Sequence, residues 1–193
     1  LGNKGIRDKK LRKETDLKVG GPVDPYAVEE ARRKIIALYQ RSGYNEVQVV
    51  IVKGDKPTDD KVVFSIHEGT KQKIWKVVFE GNEFASDGQL RTKVLSKKPI
   101  MYFFKGFVDR EQIEADKDRV TAYYRSFGFF QAKVGADPEL DEEGKWMTLR
   151  FVIHEGPRYD VESVSFIGNK IFASDSLAMG IDLPSGKPFE QGK

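Results

Sequence analysis

Two kinds of spacing run through the chain. Apolar residues fall on alternate positions at Val47, Val49 and Ile51, and again at Val62, Phe64 and Ile66. The same pair of patterns returns at Ala132, Val134 and Ala136 and at Leu149, Phe151 and Ile153. A period of two predicts strands with one buried face. The stretch Lys53-Gly54-Asp55-Lys56-Pro57 separates the first pair and Asp141-Glu142-Glu143-Gly144-Lys145 the second, and both are hairpin-loop chemistry. Ahead of each pair the spacing becomes helical. Val28, Ala31, Ile35 and Leu38 predict a helix over residues 25–42, and Ile113, Val120 and Tyr123 predict one over 110–127. Asp116 stands where Ala31 did, which narrows the second stripe. Asp24 and Asp109 are the expected N-caps, Pro25 fits the first helical position, and Gly43 and Gly128 fit left-handed C-terminal caps.

These elements belong to a repeat. Gly-Asn occurs at positions 2, 81 and 168, Ile-His-Glu-Gly at 66 and 153, and Val-Asp at 23 and 108. Tyr-x-x-x-Gly-aromatic occurs at Tyr39/Gly43/Tyr44 and at Tyr124/Gly128/Phe129, in the same order each time. Before Gly-Asn lie Ile74, Val77 and Phe79, matched by Val161, Val164 and Phe166, which predicts a strand whose three-residue step suggests a bulge. After it comes a short helix, over 86–95 and 174–181, with Ser86 and Ser174 as expected N-caps; its first copy, near 6–13, is highly charged. The expected unit is βααββ, an α+β fold: a three-stranded sheet covered on one face by two helices. Residues 1–71 are expected to form a module lacking most of its first strand, 72–156 a complete module, and 157–193 the start of a third.

Composition narrows the function. The 193 residues carry a net charge of +3 with signs interspersed, which is no footprint for nucleic acid. There is no cysteine, hence no disulfide or thiolate chemistry. No apolar run approaches the roughly 20 residues of a membrane helix. The opening residues show neither an initiator Met nor an apolar targeting segment, so the chain is expected to be an internal piece of a longer one. The only histidines, His67 and His154, occupy equivalent positions in different copies, and read as surface residues rather than as a joint metal or catalytic site. Glu68-Gly69 and Glu155-Gly156 read as turns leaving the sheet. No phosphate-binding loop, metalloprotease motif or nucleophile elbow is present. An RNA-binding KH domain shares the βααββ order, but the single G-x-x-G, at residues 2–5, precedes the first helix and is not repeated. No catalytic, cofactor-binding or metal-ligating residue is assigned, and no enzyme activity or cofactor is expected.

The strand ending Val77-Val78-Phe79-Glu80-Gly81-Asn82, the helix exit Tyr124-x-x-x-Gly128-Phe129-x-x-Ala132 and the closing His154-Glu155-Gly156 together resemble the POTRA domain of the Omp85 family, over essentially the whole chain. The resemblance implies a periplasmic scaffold of an outer-membrane protein assembly factor. Its implied partners are unfolded outer-membrane β-barrel proteins, outer-membrane lipoproteins of the assembly complex, and the membrane barrel of the same full-length chain, with no nucleic acid. The alternative it leaves is the POTRA region of a two-partner secretion transporter. It also implies that the strand after each long helix lies at a sheet edge, where unpaired backbone groups could accept a guest strand. The candidate edge comprises Val47, Val49, Val50, Ile51 and Val52, with Val50 and Val52 making the open face apolar. The second copy, with Gly135 and Asp137, suits this less. A second candidate is the insertion at 100–107, whose Met101, Tyr102, Phe103, Phe104 and Phe107 would either pack internally or contact a partner.

Overall fold

The computed structural model describes residues 1–18, 20, 22–97, 99, 106–181 and 183–190. In chain order the elements are α1 (Asp8–Thr15), α2 (Pro25–Arg41), β1 (Gln48–Lys53), β2 (Val63–His67), β3 (Lys73–Glu80), α3 (Asp87–Lys93), α4 (Arg110–Arg125), β4 (Lys133–Leu140), β5 (Trp146–His154) and α5 (Ser174–Ala178). The fold is α+β. Strands β1 and β2 form an antiparallel two-stranded sheet, and β3, β5 and β4 form a three-stranded sheet in that order, with β5 central.

Local chemistry accounts for most of the helix ends. The Asp24 carboxylate accepts the Tyr26 N–H at 3.0 Å, with Pro25 at the first helical position of α2. Asp109 accepts the N–H groups of Glu111 and Gln112 at the start of α4. Ser86 and Gln89 form a reciprocal capping box on α3. Gly43 and Gly128 take φ of +90° and +91°, in the left-handed region that ends a helix. Ser174 departs from expectation. It is the first helical residue of α5 rather than its cap, and its hydroxyl accepts from the Asn169 amide instead.

The chain divides into two compact units that do not follow the sequence repeat. The first comprises Leu1–Val77, Ser96–Ile113 and Pro138–Leu149. Its core joins Ile6 and Leu11, Ile35, Leu38 and Tyr39 of α2, Tyr44 and Val47, Val49 of β1 and Ile66 of β2. The second comprises Val78–Leu95, Glu114–Asp137 and Arg150–Lys193. There Phe79 stacks on Phe151 with centroids 5.5 Å apart, and Phe84 packs against Tyr124, Phe127 and Phe129. Asp116, expected to break the apolar stripe of α4, is fully buried there. Its carboxylate accepts the Leu95 N–H at 2.8 Å and an Arg119 N–H at 2.7 Å, so it ties the exit of α3 to α4.

One expected strand is missing. Val161, Val164 and Phe166 belong to no strand; this segment shows only an isolated bridge between Asp160 and Pro188. Its counterpart β3 is held by pairing with β5, and no strand follows residue 168 to play that part among the described residues.

Candidate functional site

The phase of the β1–β2 ladder follows from bonds on the other side of β2. The Ile66 N–H donates to the Leu1 carbonyl, and the Leu1 amino group donates to the Phe64 carbonyl, both at 2.9 Å. Phe64 and Ile66 therefore turn their backbone groups away from β1, and Ser65 and His67 turn theirs toward it. In register, Val50 faces Ser65 and Gln48 faces His67, so these β1 residues bond inward. Val49 faces Ile66 and Ile51 faces Phe64; their N–H and C=O groups point to the free edge. No hydrogen bond outside the β1–β2 ladder engages either residue among the described residues.

The five edge candidates fall into distinct roles. Val49 is buried and Ile51 half-buried, so each packs its side chain inward while offering its backbone outward. Val50 is 60% exposed, on the open face. Val47 lies just ahead of β1, buried in the core, and belongs to the base of the strand rather than to its edge. Val52 falls at a register shift between Ile51 and Lys53, a β-bulge, which ends the regular edge after Ile51. The alternating pattern gave no sign of this extra residue. Regular pairing of β1 with β2 runs over residues 48–51. In the three-stranded sheet, β4 also lies at an end of the strand order and carries Pro138.

Of the aromatic insertion, Met101, Tyr102, Phe103 and Phe104 lie outside the described residues. Phe107 is half-buried, bridges to Lys73, and has the Lys71 ammonium 4.1 Å from its ring centroid. His67 and His154 are both exposed. Among the described residues no group of three His, Asp or Glu could hold a metal ion, and no helix is long and apolar enough to cross a membrane.

The repeated Glu-Gly does more than turn the chain. Glu68 accepts the N–H groups of Lys4 and Gly5 at 2.7 and 2.8 Å and the Tyr39 hydroxyl at 2.7 Å. Burial alone would raise its pKa, but the Tyr39 hydroxyl and the N–H groups of the 4–6 loop outweigh it and hold the carboxyl below its ordinary value. Burial and then Glu68 push the Tyr39 phenol well up. In the second copy Glu155 accepts the Phe84 N–H at 2.9 Å. Burial and then Glu155 raise the Tyr124 phenol, although the buried hydroxyl closes no hydrogen bond of ordinary geometry. This tyrosine–glutamate pairing was hidden in the sequence only by separation, since both residues are landmarks of the repeat.

A family model described as POTRA, surface antigen variable number repeat, matches residues 1–69 and 72–156. A putative outer membrane protein assembly factor of Treponema pallidum is 28% identical over 100% of this chain and 24% of its own length. The outer membrane protein assembly factor BamA of Nitratidesulfovibrio vulgaris is 26% identical over 90% of this chain and 22% of its own. This chain thus spans about a quarter of the length of these curated relatives. The crystal structure of Haemophilus influenzae BamA POTRA3-5 superposes with a TM-score of 0.55 at 19% identity, covering 98% of this chain and 76% of that one.

Proposed function

Because the chain belongs to the POTRA family, we propose that it is the periplasmic POTRA region of a BamA-type outer-membrane assembly factor, a scaffold without catalysis. In this reading residues 1–71, 72–156 and 157–193 are successive modules, the last one incomplete. The scaffold receives unfolded outer-membrane β-barrel proteins and the lipoproteins of the assembly complex. It passes its clients to a membrane barrel carried by the same full-length chain. Client folding in lipid, where unpaired backbone is intolerable, supplies the driving force. The two assembly factors reported above support the setting.

The observation that carries the reading is the pair of outward-facing backbones at Val49 and Ile51. A guest strand can bond to these groups whatever its side chains, which suits a receptor for many unfolded clients. The exposed Val50 beside them offers apolar contact on the open face. The bulge at Val52 limits the pairing to a few residues, so affinity should be weak, roughly 10 μM to 1 mM, or about 4–7 kcal/mol. NMR titration with peptides from outer-membrane barrel strands tests this. Ile51→Pro removes an outward donor and leaves the β1–β2 ladder intact, so the variant should keep its circular dichroism spectrum and lose peptide binding. If the folded variant binds as well as the parent chain, strand addition at this edge is wrong, and residues 100–107 become the better candidate.

A further inference from the structure

Helix α1 can be compared with its own repeats. Leu11 corresponds to Leu90 of α3 and Leu177 of α5, and both Leu11 and Leu90 are buried, so this position carries the packing. The positions around it diverge. Arg7, Lys9, Lys10 and Lys13 correspond to Ser86, Gly88, Gln89 and Thr92 in the second copy, and to Ala173, Asp175, Ser176 and Met179 in the third. The helix itself recurs as α3 and α5 without these cations, so its formation does not require them. At 100° per residue, Lys9, Lys10, Arg12 and Lys13 fan over the arc opposite Leu11. All four, with Arg7, are exposed, and none has an ion pair among the described residues. The nearby acids are partly withdrawn: Glu14 is bridged to Arg41 of α2 at 3.1 Å, and the Asp8 carboxylate takes the Asn3 amide.

We propose that the outer face of α1 docks a carboxylate-rich segment of a partner protein. Four unpaired cations on one short face fit several acidic side chains at once, and the guanidinium group of Arg12 suits bidentate carboxylate pairing. A bilayer surface fits less well. Interfacial helices turn apolar residues outward, whereas α1 turns its one apolar residue, Leu11, into the core. The second module lacks this face, so docking is confined to the first.

Isothermal titration of the 193-residue chain with a glutamate-rich peptide, at physiological ionic strength, tests the proposal. The triple variant Lys9→Glu/Lys10→Glu/Lys13→Glu should bind at least about tenfold more weakly. The charge-matched control Lys56→Glu/Lys61→Glu/Lys133→Glu should bind like the parent, and circular dichroism should be unchanged in both because all six lysines are exposed. Amide shifts in the parent should cluster at residues 7–13. Equal weakening in the two triple variants would overturn the proposal, because net charge alone would then explain binding. Absence of peptide binding by the parent would overturn it as well. So would sedimentation with phosphatidylglycerol vesicles that depends on Lys9, Lys10 and Lys13 while the peptide fails to bind.

Discussion

Gly2 and Gly81 show why a two-residue word is repeated. At both, φ is near +80° and a Cβ would overlap a carbonyl oxygen of the neighbouring strand, that of Ile66 in the first copy and Ile153 in the second. The asparagine that follows then organises the loop: Asn3 donates to the Ile6 carbonyl and to Asp8, and Asn82 to the Ala85 carbonyl and to Asp87. Gly168 has the same backbone, but nothing lies within 4 Å of its Cβ position. Gly81→Ala should therefore destabilise by roughly 2 kcal/mol or more, combining overlap with strain, whereas Gly168→Ala carries only the left-handed penalty of about 1 kcal/mol. Urea unfolding compares them, and equal midpoints would discount the overlap. Glu68 adds a pH dependence at this scale. Its folded pKa lies below the ordinary 4.5, so its contribution is complete above that value and is lost as pH falls through the folded pKa. Glu68→Gln should cost about 1–3 kcal/mol at neutral pH, and the gap to the parent should close in acid. A gap independent of pH would remove the charged carboxylate from the account.

Among the elements, α4 and β4 show what the residue pattern carries and what it misses. The helix was legible because Ile113 and Val120 recur at its spacing and both are buried. Val120→Asp should thus lower stability by several kcal/mol, since the new carboxylate would be buried without a designed partner. An unchanged urea midpoint would take Val120 out of the core. Asp116 sits on the same buried face and could not be read as buried from its type, because its partner, the Leu95 N–H, is remote in sequence and invisible to periodicity. Strand β4 extends through Pro138 to Leu140, beyond the alternating positions Ala132, Val134 and Ala136. An edge strand tolerates proline because one side of its backbone needs no ladder bond. In β1 the alternation at Val49 and Ile51 located the strand, but only pairing with β2 reveals which backbone groups face outward and where the bulge falls. The two kinds of residue there should respond oppositely. Val50→Pro removes an inward ladder bond and strands its acceptor, so it should cost about 1–3 kcal/mol more than Ile51→Pro. Thermal melts of the two variants decide it, and reversed order would reverse the assigned ladder phase.

At the scale of the whole chain, the connection after each Glu-Gly is built the same way twice. The Gly43 carbonyl accepts the Gln72 N–H at 2.8 Å, and the Gly128 carbonyl accepts the Tyr159 N–H at 2.9 Å. Gly106 accepts from Ile74 and Lys187 from Val161, while Val108 donates to Gln72 and Phe189 to Tyr159. Asn45 adds side-chain bonds to Gln72 and to the Val108 carbonyl; the later copy uses Arg158, which donates to the Phe127 carbonyl and to Glu190. The Gly-aromatic landmark was thus readable as a helix end, but not as a receptor for the chain 29 or 31 residues onward, because the bond uses only backbone groups. This bonding predicts that the connection is an ordered part of the fold rather than a free tether. The Gln72 and Tyr159 amides should exchange hydrogen slowly, as ladder amides do, and not at the rate of an open linker. Gly43 also supplies a selective lesion. Its φ is +90° and a Cβ would lie 2.7 Å from the Gln72 carbonyl oxygen, whereas Gly144, at +64°, has nothing within 4 Å. Gly43→Ala should speed exchange at Gln72 and Val108 beyond any change produced by Gly144→Ala, which shares the backbone penalty without the overlap. Native-state hydrogen exchange followed by NMR reads both amides directly. Rapid Gln72 exchange in the parent chain would show that these bonds do not persist and that the connection is a loose linker.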